Sequence, residues 1–99
     1  MQEQKVYSIY DTKAETYGNI FTCLTDGLAS RVFAHVALFS GNADYARYPE
    51  DFALYCVGSF MDGSGDLVAA RPRLVCTLTS VLQHCQKQGA AVGDGVPLK

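Results

Sequence analysis

The chain reads as an α+β domain, a small antiparallel β-sheet with one main α-helix over about residues 26–40 packed on one face. Three observations predict it. Residues 5–10 (KVYSIY) and 51–61 (DFALYCVGSFM) alternate with the two-residue period of a strand. Between them Leu28, Val32, Phe33, Val36 and Phe39 recur at helical spacing. The run DGSGD at 62–66 is turn chemistry, so the chain should reverse there and return as an antiparallel partner over 67–70. Ninety-nine residues suffice for one small core and not for two. A single domain over 1–88 with a flexible tail over 89–99 follows.

Taken in order, the strand at 5–10 leads through DTKAETYG into a second short strand, NIFTCL, at 19–24. Thr25 or Asp26 then supplies an N-cap oxygen for the free amides of the first helical turn. Gly41 and Asn42 suit the helix stop. GNADYARYPE reads as a loop, because Pro49 disfavours a helical residue before it. In 51–61 Phe52, Leu54, Cys56, Gly58 and Phe60 share one face, and Ala53, Tyr55, Val57, Ser59 and Met61 the other. Both faces are largely apolar, so this should be a central strand. Gly58 marks a bulge or a close approach, against the helix in the simplest packing. After Pro72 the spacing of Leu74, Val75, Leu78, Val81 and Leu82 favours a helix, with a strand over VCTLTSV as the alternative. The order is β-β-α-β-β, followed by a short helix or strand.

Composition excludes several functions. Hydrophobic content of 48% with 18% charged residues describes a globular chain. A net charge of −2 argues against a strongly basic nucleic-acid binder, but not against a local patch. No apolar run reaches transmembrane length, and MQEQKVYS lacks the basic and apolar regions of a signal peptide, so no membrane association and an intracellular setting are expected. The four cysteines, Cys23, Cys56, Cys76 and Cys85, are then expected as thiols. No CxxC, paired histidines or phosphate-binding glycine loop occurs, and Glu50 and Asp51 point apart at a strand entrance. Neither enzyme activity nor a cofactor or metal is expected.

Aromatic residues carry the remaining signal. Six tyrosines occur without a tryptophan. Tyr10 and Tyr17 flank Lys13, and Tyr45 and Tyr48 flank Arg47. Rings interleaved with cations suit single-stranded nucleic acid, because bases stack on the rings while cations track phosphates. The plain alternative is that the rings edge a small core with their hydroxyls in water.

Three stretches carry a resemblance: YSIYDTKAETY, TDGLASRVF and YPEDFALYCVGSFMDGSGDL. The chain resembles the small non-structural protein of gokushovirus-type microviruses, bacteriophages with circular single-stranded DNA. Tyr7, Ser8, Tyr10, Asp11, Lys13 and Ala14 match the first motif and Arg31 the helix arginine. Pro49, Glu50, Asp51, Leu54, Gly58 and Phe60 match the third. The sequence departs at Tyr48, where relatives often have His, and at Cys56 and Ser59, where they often carry charge. Those departures make the strand more apolar, so that its exposed face is expected to meet another subunit. The resemblance covers about residues 5–82 and implies DNA binding during the switch from duplex replication to single-strand production, in the host cytoplasm. Together these readings predict an oligomer that binds single-stranded DNA, with Lys5, Lys13, Arg31, Arg47, Arg71 and Arg73 on phosphates and Tyr10, Tyr17, Tyr45 and Tyr48 stacking on bases. The rival expectation is an interaction module that meets a host or phage protein without touching DNA.

Overall fold

The computed structural model describes residues 2–91, with side chains through His84. Four antiparallel strands form one sheet in the order β2-β1-β3-β4: β1 Glu3–Asp11, β2 Thr16–Cys23, β3 Phe52–Met61 and β4 Asp66–Thr77. Helix α1 spans Asp26–Phe39, a short α2 spans Ala43–Arg47, and α3 spans Leu78–Ala91. The α+β class and the β-β-α-β-β order of the first five main elements are as the sequence predicts. No helix among the described residues is long and apolar enough to cross a membrane.

The core lies between one face of the sheet and α1. Tyr7, Leu54 and Cys56 from the inner strands meet Ala29 and Phe33 from α1, closed by Phe52 and by Leu78 at the start of α3. Thr25 caps α1, its Oγ1 accepting from the Leu28 amide at 3.2 Å. The hairpin turn after β3 closes on Gly65, whose φ of +82° suits glycine. Its amide donates to the Met61 carbonyl at 2.7 Å.

Several expectations are corrected. The loop expected over 41–50 contains α2, capped by Asn42 Oδ1 accepting from the Asp44 amide, and a 3-10 turn at Pro49–Asp51. The proline rule still holds locally, since Tyr48 is non-helical and α2 stops before it. The helix favoured after Pro72 does not start there. β4 runs on to Thr77, and α3 begins at Leu78, so the element expected as a short helix or strand is a helix of the same 14-residue length as α1. Pro72 is tolerated because β4 is an edge strand, and it lies where the pairing jumps from Arg73 opposite Cys56 to Ala69 opposite Gly58. Of the tail expected over 89–99, residues 89–91 end α3 and the rest lies outside the described residues.

Buried residues alternate from Phe52 to Gly58, and the bulge that Gly58 is read to mark is present. Tyr7 pairs with Cys56 but Val6 pairs with Gly58, so Val57 is an extra residue, and the face pattern slips by one beyond it. Phe60 accordingly pairs with Gln4 and does not join the core. Gly58 makes the expected close approach, against β4 rather than a helix. A Cβ at this position would run into the Val68 carbonyl oxygen and lie 3.4 Å from Ala69 Cα. Cys56 lies in the core beside Leu54, on the apolar face that the alternation gives it.

Candidate nucleic-acid interface

The helices cover only one face of the sheet. On the other side, strand alternation and register bring three rings together. Tyr10 of β1 is paired with Tyr17 of β2, and their ring centroids lie 4.7 Å apart. Tyr55 of β3 sets its ring edge-on to both, at 6.0 Å from Tyr10 and 5.8 Å from Tyr17. Tyr17 is the most open of the three, at 41% exposure. The residues alternating beside them carry no charge: Val6 and Ser8 in β1 are buried, and Ala53 in β3 is half-buried. Leu74, paired with Tyr55, extends this neutral surface and is 52% exposed.

Lys13 stands at the tip of the β1–β2 hairpin, next to the tyrosines in sequence. Asp11 shapes that tip, since its Oδ1 accepts from the Lys13 and Ala14 amides at 3.0 and 3.3 Å. Thr12 donates through its backbone and its hydroxyl to the Asp51 carbonyl, which ties the tip to the 3-10 turn. Lys13 and Tyr48 share a shallow hollow with Asp11, Asp44 and Asp51. Three carboxylates there oppose a phosphate, so the hollow is a poor phosphate seat.

The remaining expected contacts are dispersed. Tyr45 is packed on Phe52, with ring centroids 4.6 Å apart, and burial pushes its hydroxyl pKa up, so it supports the core rather than a base. Lys5 is paired with Cys23 on the helix-covered side. Arg31 lies on α1, Arg47 at the end of α2, and Arg71 in the irregular part of β4. Tyr10, Tyr17 and the neighbouring Lys13 are therefore brought to one end of the sheet, with Tyr48 in the hollow beside Lys13 and Arg47 next to it in sequence. Lys5, Arg31 and Arg71 lie on other elements or the other face. Sequence reasoning passed over Tyr55, although the alternation of β3 placed it opposite the face of Leu54.

Arg73 is engaged inside the molecule. Its guanidinium donates two bonds to the Asp26 carboxylate, at 3.1 and 3.2 Å, and buried Tyr7 donates its hydroxyl to Asp26 Oδ1 at 2.6 Å. This is the one ion pair among the described residues. Arg73 first, and then Tyr7, hold the Asp26 pKa below the ordinary carboxylate range, while burial and then the Asp26 contact push Tyr7 upward. Ionised Asp26 thus favours folding above its unfolded pKa of about 4, and the contribution is lost as pH falls through the lower folded value. Both pair members are substantially exposed, which limits the ion-pair part to about 1 kcal/mol or less. Asp26→Asn should lower the urea midpoint at neutral pH and shrink the gap between neutral and strongly acidic midpoints. An unchanged gap would mean that another carboxylate sets the acid limit.

Among the described residues no group of three His, Cys, Asp or Glu side chains is placed to hold a metal ion. The family model described as Phage ORF5 protein matches residues 4–81. No curated protein and no solved structure gives a significant match.

Proposed function

Because the chain belongs to the Phage ORF5 protein family, we propose that it is a bacteriophage non-structural protein that binds single-stranded DNA on the open face of its sheet. The observation that carries this reading is the Tyr10–Tyr17–Tyr55 cluster. A sheet with aromatic rings on an uncovered face can stack unpaired bases without reading their sequence, because every base has a π-face. The microvirus resemblance adds the setting: the switch to single-strand genome production, in the host cytoplasm. An oligomer would join several such faces along one strand.

The dispersion of the cations changes the expected character of binding. Lys13 is the cation next to the cluster, so stacking rather than charge supplies most of the affinity. With about one phosphate neutralised, log K should fall against log salt with a slope of only about −1. Fluorescence anisotropy of a labelled oligothymidylate across a salt series measures it, with a duplex of the same length as the control. Equal affinity for the duplex would sink the stacking model, because paired bases offer no faces.

One observation favours a second reading, a module that meets a host or phage protein. The open face is neutral and partly apolar, with Tyr17 and Leu74 exposed, and most of the cations lie elsewhere. Absence of oligonucleotide binding even at low salt would select this reading over the first.

A further inference from the structure

A second cleft lies on the helical side of the sheet, away from the tyrosines. Gly27, Ser30, Arg31 and Ala34 of α1 line it together with Ser80 and His84 of α3, around about 410 Å³ of space. We propose that this cleft binds a phosphate monoester, as carried by a nucleoside monophosphate or by a phosphorylated DNA end.

The chemistry of the walls carries the inference. No described residue lining the cleft is acidic, in contrast to the three aspartates around Lys13. Its polar side chains include a guanidinium, an imidazole and a serine hydroxyl able to donate to an anion. Arg31 is exposed and has no carboxylate within ion-pair distance among the described residues, whereas Arg73 is held by Asp26. The guanidinium fork is therefore free for a planar pair of bonds to phosphate oxygens. His84 offers an N–H in either protonation state.

Ser30 sits 3.4 Å from Cys76 Sγ. Burial pushes that thiol's pKa up, so it stays protonated, and its S–H can donate to Ser30 Oγ. Either atom can donate in this contact, and with the thiol as donor the serine hydroxyl hydrogen is left for the cleft. Ser80 plays a different part. Its hydroxyl donates to the Thr77 carbonyl, and its amide donates to Thr77 Oγ1, which fixes the first turn of α3 beside the cleft. The volume falls in the range of small-ligand sites, enough for a nucleotide as well as a bare phosphate.

Titrating the full chain with inorganic phosphate, at constant ionic strength set by chloride, tests this by amide chemical shifts. Shifts should concentrate at Gly27–Ala34 and Ser80–His84, and Arg31→Gln should weaken the response about tenfold or more. His84→Gln, which keeps a donor without the ring, should weaken it less. Thymidine 5′-monophosphate should bind in the same place. If a 5′-phosphorylated oligothymidylate also does so and its 5′-hydroxyl twin does not, the cleft takes a DNA end; if only the mononucleotide does, the source is free nucleotide. Phosphate shifts scattered over the surface, or unchanged in folded Arg31→Gln, would overturn the proposal. Removing the stacking rings with Tyr10→Leu and Tyr17→Leu should leave the phosphate response intact, so failure at one face is distinguishable from failure at the other.

Discussion

Gly58→Val is expected to destabilise the domain by about 2–3 kcal/mol, a large fraction of what holds a small domain together. The cause is local and specific. Position 58 lies on an inner strand between Val6 of β1 and Ala69 of β4. Any Cβ there meets the Val68 carbonyl oxygen, which is backbone and cannot rotate away. To make room, β4 must move outward, and the ladder to β3 would weaken just where it is already irregular. The higher strand propensity of valine works in the opposite direction, by up to about 1 kcal/mol, and does not cancel the collision. Gly58→Ala should share most of the loss, since the Cβ itself is the offending atom. Urea unfolding of both variants checks this. A stability equal to the parent's would mean that β4 yields freely, and that the bulge is not the reason for glycine.

The same position shows how far the sequence was legible. Period-two patterning found β3, its inner place in the sheet and the buried set Phe52, Leu54 and Cys56. Gly58 marked the bulge, but not that Val57 is its extra residue, because a bulge leaves no mark in hydrophobic alternation beyond a glycine nearby. The error at Pro72 has a related origin. The apolar spacing of 74–82 fits a helix, but an edge strand admits proline, and tertiary pairing with β3 carried β4 through to Thr77 before the helix could begin. α2 was hidden for a simpler reason: five residues are too few to show a period.

The site was legible in its residue types and not in its grouping. Tyrosines interleaved with cations suggested a binding strip along the chain. In the fold, register divides that strip. Tyr10 and Tyr17 meet each other and recruit Tyr55, Tyr45 turns into the core, and Arg73 closes on Asp26 from 47 residues away in sequence. Pairings at such separation depend on sheet register, which no local pattern encodes.

The largest effect on binding should come from Tyr10→Leu combined with Tyr17→Leu. Leucine retains apolar cover over the half-buried ring positions, so the sheet keeps its fold while the π-faces vanish. Alanine-scale losses for a stacked base are about 1–3 kcal/mol, so two rings predict oligothymidylate affinity falling by about thirtyfold or more. Lys13→Ala should matter less at moderate salt, at about 1 kcal/mol, and should flatten the salt slope rather than abolish binding. The two variants thus separate stacking from charge: the tyrosine pair lowers affinity at every salt concentration, the lysine chiefly at low salt. They also separate DNA from a protein partner. An apolar protein surface would tolerate leucine in place of tyrosine far better than a base would, because leucine replaces buried area but not a ring face. Retained oligonucleotide affinity in the double leucine variant would place the DNA contact off this sheet face.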